Sequence, residues 1–311
     1  MRFHFIQFIP ILSVLCLQVN SEKLDFVNFA EDTVEMFWID DEEHLVAQME
    51  PYEHMEVDTE EGHSFYYILK GNRYEVEVTE DTEVHVMGTD TVKVVCSTST
   101  GDMHISVKPH WSPFGAARFL QLIEMGYYNG CALNRVVKGF LTQFGISSDF
   151  DLRTEYREST IRDDEDFGIE FHPGFMSFAG SGENSRTAEV FVVMPDTPLE
   201  QLAYFGDENP WETPFGFVEP ESLETVGTWY EYGDMPPWGK GPDPQKIYES
   251  DGYEYLKEEF PEMSYIDKCN IVAWINEDEP GEVAPDGEDE VDEPGEKSED
   301  GDDDEEEEEE L

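Results

Sequence analysis

Basic residues and cysteines are scarce in this sequence of 311 residues. It has 18 Lys and Arg against 74 Asp and Glu, a formal net charge of −56. This balance argues against nucleic acid and anionic membranes as partners, and it favours either basic proteins and divalent cations or simply high solubility. The sequence has no Cys-x-x-Cys pair and no Cys/His spacing suited to zinc, so we expect no thiolate metal site.

Long apolar runs are absent beyond the N-terminus. The run from Phe5 to Leu17 follows Arg2 and precedes the short residues Val19-Asn-Ser21, which is the pattern of a secretory signal peptide. A membrane span needs about 20 apolar residues, so a single N-terminal anchor is the less favoured alternative. We expect residues 1–21 to be removed, and the mature protein to reside in the endoplasmic reticulum lumen or outside the cell.

Cysteine number limits the disulfides of the mature chain. Cys16 lies in the predicted leader, which leaves Cys96, Cys131 and Cys269. An odd number in a secretory protein allows at most one internal disulfide and leaves one thiol.

The C-terminal segment 277–311 has no core-forming pattern. It contains 22 acidic residues against one Lys, and Pro and Gly are frequent. Charge repulsion without apolar surface predicts a disordered acidic tail. Clustered carboxylates would bind Ca²⁺ weakly and would attract basic proteins. The last residues, Glu308 to Leu311, share two of four positions with a luminal retrieval signal, a match that chance explains.

Residues 22–89 have the pattern of a small β-sandwich. Short strand candidates occur at Val34–Ile39, Ser64–Lys70 and Arg73–Val78, and the last alternates apolar and charged residues. Helical periodicity is lacking. A unit of this size is near the lower limit for a core of its own.

This unit resembles the β domain of the von Hippel–Lindau tumour suppressor. The matching segments are Val27-Asn28, Phe37-Trp-Ile39 and Gly62-His-Ser-Phe65. In that family the fold holds a hydroxyproline peptide, and Trp38 and His63 match two pocket positions. Ala47 falls near the place of the pocket tyrosine, and the family's helical domain is missing. The resemblance therefore implies the fold and not the ligand, and we assign Trp38 to core packing.

Residues 90–276 are predicted to form a second, mainly β unit. One helix should begin at Ser112 as N-cap with Pro113 at the first helical position. Its apolar stripe is Ala116, Phe119, Leu120 and Ile123. A second short helix is indicated by Leu223, Val226 and Tyr230. The segments 147–168 and 231–260 are predicted as loops. Strands without βαβ alternation favour a closed antiparallel barrel of about eight strands.

The stretch from Cys131 to Gly145 predicts a strand, a corner at glycine and a second strand. Arg135, Gln143 and the Gly139-Phe140 pair do not fit a plain core strand. A guanidinium, an amide and an aromatic ring beside a glycine corner suggest a site that binds a peptide.

Several motifs in order resemble the cyclophilins, barrel-type peptidyl-prolyl isomerases. The stretch 133–145 is similar to the family's arginine motif, and Phe178 to Phe191 to a second motif. The segments 211–216 and 255–266 resemble a subgroup common in plants and algae. The resemblance covers about residues 92–275. It implies a closed eight-stranded barrel with two helices, activity on proline-containing polypeptides and no cofactor.

The resemblance also implies roles for individual residues. The catalytic set would be Arg135, Phe140 and Gln143, with Arg135 donating a hydrogen bond to the prolyl nitrogen. The substrate groove would be lined by Leu141, Ala179, Gly180, Glu189, Phe191 and Trp211. Each has a plainer interpretation: Arg135 could pair with a surface carboxylate, and Phe140 and Phe191 could belong to the barrel core. A separate alternative is a binding module that uses the altered groove to hold proline-containing peptides without turning them over.

The sequence departs from the family at several of these positions. Asn134 stands in place of the motif histidine, Gly180 in place of an asparagine, Glu189 in place of a glutamine, and Phe144 in place of a glycine. Glu212 falls near a family histidine, and Trp211 could substitute for the usual rim tryptophan. The acidic replacements would favour basic residues near the target proline.

The resemblance further implies a disulfide. The first and last barrel strands are neighbours in that family, so Cys96 and Cys269 could be bridged. Cys131 would then be a buried free thiol.

Overall fold

The computed structural model describes residues 22–79, 83–206 and 208–276. The predicted signal peptide (1–21) and the predicted acidic tail (277–311) lie outside the described residues, and both stay predictions. Within the described part, no helix is both long and apolar enough to cross a membrane.

The N-terminal region folds into two small sheets that share an apolar core. Their strands are β1 (Glu22–Asn28), β2 (Val34–Ile39), β3 (Glu43–Met49), β4 (His54–Thr59), β5 (Ser64–Leu69), β6 (Asn72–Glu77) and β7 (Val84–Met87). In the described chain the sheet orders are β4-β1-β7 and β3-β2-β5-β6. Phe26 and Leu24 of β1 meet Met36 of β2 and Phe65 of β5 in one buried cluster. The von Hippel–Lindau resemblance of this region stays a prediction.

A second, curled sheet follows. Its strands are β8 (Thr91–Thr98), β9 (Gly101–Val107), β10 (Cys131–Ala132), β11 (Arg135–Val137), β12 (Leu141–Phe144), β13 (Phe175–Phe178), β14 (Val190–Val193), β15 (Gly216–Val218) and β16 (Tyr265–Ile275). Among the described residues the sheet has nine strands in the order β10-β16-β8-β9-β15-β13-β14-β12-β11.

This sheet differs from the closed eight-stranded barrel that the resemblance implied. The segment expected to form one strand bends at Leu133 and Asn134, so that its halves pair with different neighbours. β10 pairs with β16 and β11 pairs with β12. The two edges of the sheet are therefore consecutive pieces of chain and are not joined by a ladder of hydrogen bonds between them.

The predicted disulfide is present and joins two adjacent strands. Cys96 of β8 lies directly opposite Cys269 of β16, and the two are bonded. Cys131 is a buried free thiol, also as predicted. Its pKa is raised to about 12 because burial disfavours the thiolate.

The helices are more numerous than the sequence indicated. The predicted helices occur as α1 (Pro113–Glu124) and α4 (Leu223–Thr228), the latter ending before Tyr230. The others are α2 (Phe150–Tyr156), α3 (Leu199–Leu202), α5 (Pro244–Tyr248) and α6 (Gly252–Glu259), with a short 3₁₀ turn at Pro220–Ser222.

The prediction of loops at 147–168 and 231–260 is therefore wrong in part. Asp149 accepts hydrogen bonds from the first backbone N–H groups of α2, and Asp243 does so for α5. Ile247 and Leu256 bury their side chains with Ile146 of the preceding region. Local caps and distant apolar partners stabilise segments whose own periodicity is weak.

The start of α1 lies at Ser112 as predicted, but Ser112 does not cap it. The carboxylate of Asp164 accepts the N–H groups of Phe114 (2.7 Å) and Gly115 (3.1 Å). The hydroxyl of Ser112 donates to the same carboxylate, and the Arg186 guanidinium pairs with it at 3.0 Å. Asp164 and Arg186 have fully buried side chains in this ion pair. A distant anion thus replaces the local cap.

Candidate active site

The site is built on one row of side chains that crosses three strands. Arg135 on β11 lies opposite Gln143 on β12, which lies opposite Phe191 on β14. Residues paired in this way project from the same face of a sheet. Alternate residues point to the other face, so Phe144 and Val190 belong to the inner core instead.

The corner between β11 and β12 places two further side chains. Gly139 has a φ of +71°, a conformation that L residues with a side chain rarely adopt, and it lets the chain reverse tightly. Phe140 and Leu141 follow directly. The Phe140 ring stacks on Phe205 with centroids 5.2 Å apart, and Phe205 stacks on Phe191 at 5.2 Å. These rings form a continuous aromatic wall beside the row.

A cavity of about 410 Å³ opens above this row. Seven of the predicted site residues line it, namely Arg135, Phe140, Leu141, Gln143, Ala179, Gly180 and Phe191. The others that line it are Tyr204, Phe205, Asn209, Glu212, Asp234, Met235 and Trp238. Glu189 and Trp211 were predicted to line the groove and do not belong to this set.

Arg135 is held by partners on two sides. Its Nε and Nη2 donate to the two carboxylate oxygens of Asp234, at 2.8 and 3.2 Å. Its Nη1 donates to Oε1 of Gln143 at 3.2 Å. The guanidinium carbon also lies 5.5 Å from the centroid of the Phe140 ring. The remaining N–H groups of the fork are available to a ligand in the cavity.

The loop that carries Asp234 is itself fixed. The N–H of Gly233 donates to the carbonyl of Val136 at 3.2 Å, next to Arg135. The N–H of Gly241 donates to the carbonyl of Asp234 at 2.8 Å. The loop is thus fastened to β11, and the carboxylate reaches the guanidinium from a fixed backbone.

Glu189 lies behind Gln143. Its Oε2 accepts from Nε2 of Gln143 at 2.8 Å, and its Oε1 accepts from the Tyr248 hydroxyl at 3.0 Å. Burial raises the pKa of this carboxyl, and the two hydrogen bonds act in the opposite direction. Because the Gln143 amide donates to Glu189, its oxygen is left to face Arg135. Glu189 therefore orients the amide and does not contact the cavity.

Comparisons with known proteins agree with this geometry. The family model described as cyclophilin type peptidyl-prolyl cis-trans isomerase/CLD matches residues 92–235. A putative peptidyl-prolyl cis-trans isomerase of Staphylococcus epidermidis is 30% identical over 131 residues, which are 40% of this chain and 66% of that protein. Peptidyl-prolyl cis-trans isomerase A of Dickeya dadantii is 27% identical over 109 residues, or 35% and 57% of the two chains.

The segment 92–235 is a cyclophilin-type domain. The chain spans somewhat less than two thirds of the length of these curated relatives. A solved structure, the cyclophilin type peptidyl-prolyl cis-trans isomerase of Cryptosporidium parvum, is 21% identical with a TM-score of 0.41. The matched region covers 59% of this chain and 98% of the Cryptosporidium parvum chain.

Two departures of this cyclophilin-type domain from the family motifs, Gly180 and Trp211, have one structural cause. Any Cβ at position 180 would overlap the indole ring of Trp211. Glycine is therefore required where the family has asparagine, because the Trp211 ring occupies the space of that side chain. Trp211 packs under the groove and does not form its rim. The exposed rings at the cavity edge are Trp238 and Tyr204.

Glu212 is a charged group at the end of the groove. Its side chain is buried, and Oε1 accepts the N–H of Gly180 at 3.4 Å. Burial raises its pKa to about 7, an effect that the Gly180 hydrogen bond and the charge of Arg135 partly oppose. The carboxyl therefore changes its charge near neutral pH.

The other departures lie away from the cavity. Asn134 is buried in the bend between β10 and β11. Phe144 packs edge-on against Tyr128, at 5.5 Å between centroids, on the inner face of the sheet. Neither residue lines the cavity, so neither replacement changes the surface that a ligand would meet.

The sequence did not predict the cavity-lining residues that come from the segments 199–209 and 233–241. Asp234 lies in a segment predicted as a surface loop, and no motif in the surrounding sequence identifies it as the partner of Arg135. Trp238 carried a usable signal, because an isolated tryptophan between Pro-Pro and Gly is unusual for a plain solvent loop. In the described residues, no group of three or more His, Cys, Asp and Glu side chains is arranged to hold a metal ion.

Proposed function

We propose that this protein catalyses the cis-trans isomerisation of X–Pro peptide bonds. The observation that carries the proposal is the position of Arg135. Its guanidinium is fixed at one wall of the cavity, while Phe140, Leu141 and Phe191 form an apolar wall that suits a proline ring. The match of residues 92–235 to the cyclophilin-type family supports the same activity.

The chemistry needs no nucleophile. The bond rotates slowly because amide resonance opposes it with a barrier of about 20 kcal/mol. When the bond twists, the prolyl nitrogen becomes pyramidal and gains a lone pair. The free N–H groups of Arg135 would donate to that nitrogen, and Gln143 would hold the flanking backbone. The hydrogen bond from Arg135 is stronger with the twisted amide than with the planar one, which is the requirement for catalysis.

Replacing Arg135 by alanine should lower kcat/KM by about 100-fold, because the donor to the twisted amide is lost. The measurement is a protease-free isomerisation assay on the mature chain with a neutral proline peptide. Arg73→Ala is the matched control, since Arg73 is an exposed arginine on β6 of the N-terminal region that pairs with Glu43. Equal rates for the wild type and Arg135→Ala would contradict the proposal.

A peptide-binding module without turnover is the second candidate. It is favoured by the ion pair between Arg135 and Asp234, because a charge already compensated by a carboxylate polarises a ligand less. The two candidates differ in one result. A pure binder would retain proline peptides but would not speed the exchange between their cis and trans isomers.

Under the isomerase proposal, Asp234 positions Arg135. The pair is partly buried, with Arg135 14% and Asp234 23% exposed. Asp234→Ala should lower kcat by about 10-fold and leave KM nearly unchanged, because a small displacement of a catalytic group weakens only the transition-state interaction. Asp234→Asn retains one acceptor and should recover part of the loss.

Glu231→Gln is the control for Asp234. It removes one negative charge from the same loop, where Glu231 accepts the Lys138 backbone N–H and does not touch Arg135. A rise in kcat for Asp234→Ala would mean that the carboxylate restrains Arg135 electrostatically, and the positioning role would be rejected.

We also propose that the protein acts on folding clients in the secretory pathway. The disulfide between Cys96 and Cys269 supports an oxidising compartment. Residence in the endoplasmic reticulum, secretion, weak Ca²⁺ binding and basic partners at the tail all depend on segments outside the described residues. The plant and algal subgroup and the ligand, if any, of the N-terminal β region likewise remain proposals.

A further inference from the structure

A second cavity of about 410 Å³ lies beyond Glu212. It shares Phe205 and Glu212 with the proline cavity. Its walls include the apolar residues Phe171, Pro210 and Pro214 together with the carboxylates of Asp166 and Glu170. A pocket lined by both apolar and acidic residues suits a long basic side chain, which buries its methylene stem and keeps its charge at the tip.

Glu212 stands between the two cavities and has an unfilled hydrogen-bonding capacity. Only 9% of the residue is exposed. Among the described residues the single hydrogen bond to its carboxylate is the 3.4 Å contact from the N–H of Gly180 to Oε1. A buried carboxylate normally accepts several hydrogen bonds, because losing water without replacement is unfavourable. Oε2 accepts no hydrogen bond from these residues, and Glu212 lines both cavities, so a cation in either cavity would meet this oxygen.

Two other charged groups at the groove, Arg135 and Glu189, already have partners within the protein. Arg135 forms an ion pair with Asp234. Glu189 accepts hydrogen bonds from Gln143 and Tyr248. Glu212 is thus the acidic group of the groove that faces both cavities and keeps an open oxygen.

We propose that Glu212 and the second cavity form a subsite for a lysine or arginine side chain adjacent to the substrate proline. The proposal rests on the proposed isomerase function and names its preferred substrate class. The acidic surface of the protein as a whole would also attract such substrates.

The test compares peptides that differ only in lysine against the isosteric norleucine, placed either before or after the proline. Isomerisation is followed by a protease-free method, because a coupling protease could itself respond to lysine. We expect kcat/KM to be about 10-fold higher for the lysine peptide at one of the two positions, since hydrogen bonds to charged groups are the stronger class.

Glu212→Gln should bring this ratio close to 1, and Glu208→Gln should leave it unchanged. Glu208 is exposed, lies four residues earlier and lines neither cavity, so it controls for loss of charge alone. A wild-type ratio near 1 at both positions would overturn the subsite, as would a ratio that survives Glu212→Gln. If neither peptide is turned over, it is the isomerase function that fails.

The pH dependence of the wild type gives a second test that needs no variant. With its pKa raised to about 7, Glu212 is largely neutral at pH 6 and ionised at pH 8, while lysine stays charged. The groups that face it are Arg135 and Asp234 from the proline cavity and Asp166 and Glu170 from the second one. The lysine preference should therefore grow from pH 6 to pH 8, and a preference that falls over this range would contradict the assignment.

Discussion

Asp164→Asn is expected to lower the free energy of unfolding by about 3–5 kcal/mol, which would lower Tm by about 10 °C. The reason is that Arg186 is fully buried and would lose the nearer of its two carboxylate partners, at 3.0 Å, and keep only Asp163 at 3.3 Å. The first N–H groups of α1 would lose a carboxylate acceptor at the positive end of the helix. An asparagine amide cannot accept from all of these donors at once.

Chemical denaturation monitored by circular dichroism checks this expectation. Glu165→Gln is the matched control, because it removes a negative charge from the neighbouring exposed position, and it should change stability by less than about 0.5 kcal/mol. Asp164→Ala with Arg186→Met should be more stable than Asp164→Ala alone, since the fully buried guanidinium is removed and the carboxylate left behind, Asp163, is partly exposed. Similar stabilities for Asp164→Asn and Glu165→Gln would show that the ion pair does not stabilise the fold.

Loss of the disulfide should have an effect of similar size. The bond between Cys96 and Cys269 closes a loop with a sequence separation of 173 residues. On the chain-entropy model, a loop of this length stabilises the folded state by about 5 kcal/mol, and removal of native disulfides typically costs about 2–5 kcal/mol. Cys96→Ala with Cys269→Ala should therefore unfold at a markedly lower temperature.

Reductant provides the control for this experiment. Dithiothreitol should lower the Tm of the wild type to near that of the double variant, and it should leave the double variant unchanged. Cys131 is a buried free thiol that is present in both proteins, so it contributes equally to the two Tm values. A double variant as stable as the oxidised wild type would show that the sheet, which carries both cysteines on adjacent strands, already determines the stability.

The position of the site was largely predictable from the sequence. The distance of eight residues between Arg135 and Gln143, with a glycine corner between them, fits an antiparallel hairpin in which both side chains face one way. Period-two alternation then assigns Phe144 to the opposite face. The resemblance added Phe191 and the disulfide, and the structure places both as expected.

The electrostatics of the site could not be predicted in the same way. Asp234 is 99 residues from Arg135, and it lies in a segment whose sequence suggests only a loop. Glu189 and Glu212 looked equivalent in sequence, since both are acidic replacements in the groove. The structure separates them, because Glu189 is satisfied by Gln143 and Tyr248 while Glu212 opens to two cavities.

The sequence by itself determined several of the strands, where the hairpin turns and which face carries Arg135, Gln143 and Phe191. These features depend on alternation and on glycine, which act over a few residues. Only the tertiary structure decided that Asp164 caps α1, that Asp234 holds Arg135 and that the sheet ends in two edges. Those outcomes depend on which distant groups are buried together, and burial is what makes an ion pair or a hydrogen bond between them strong.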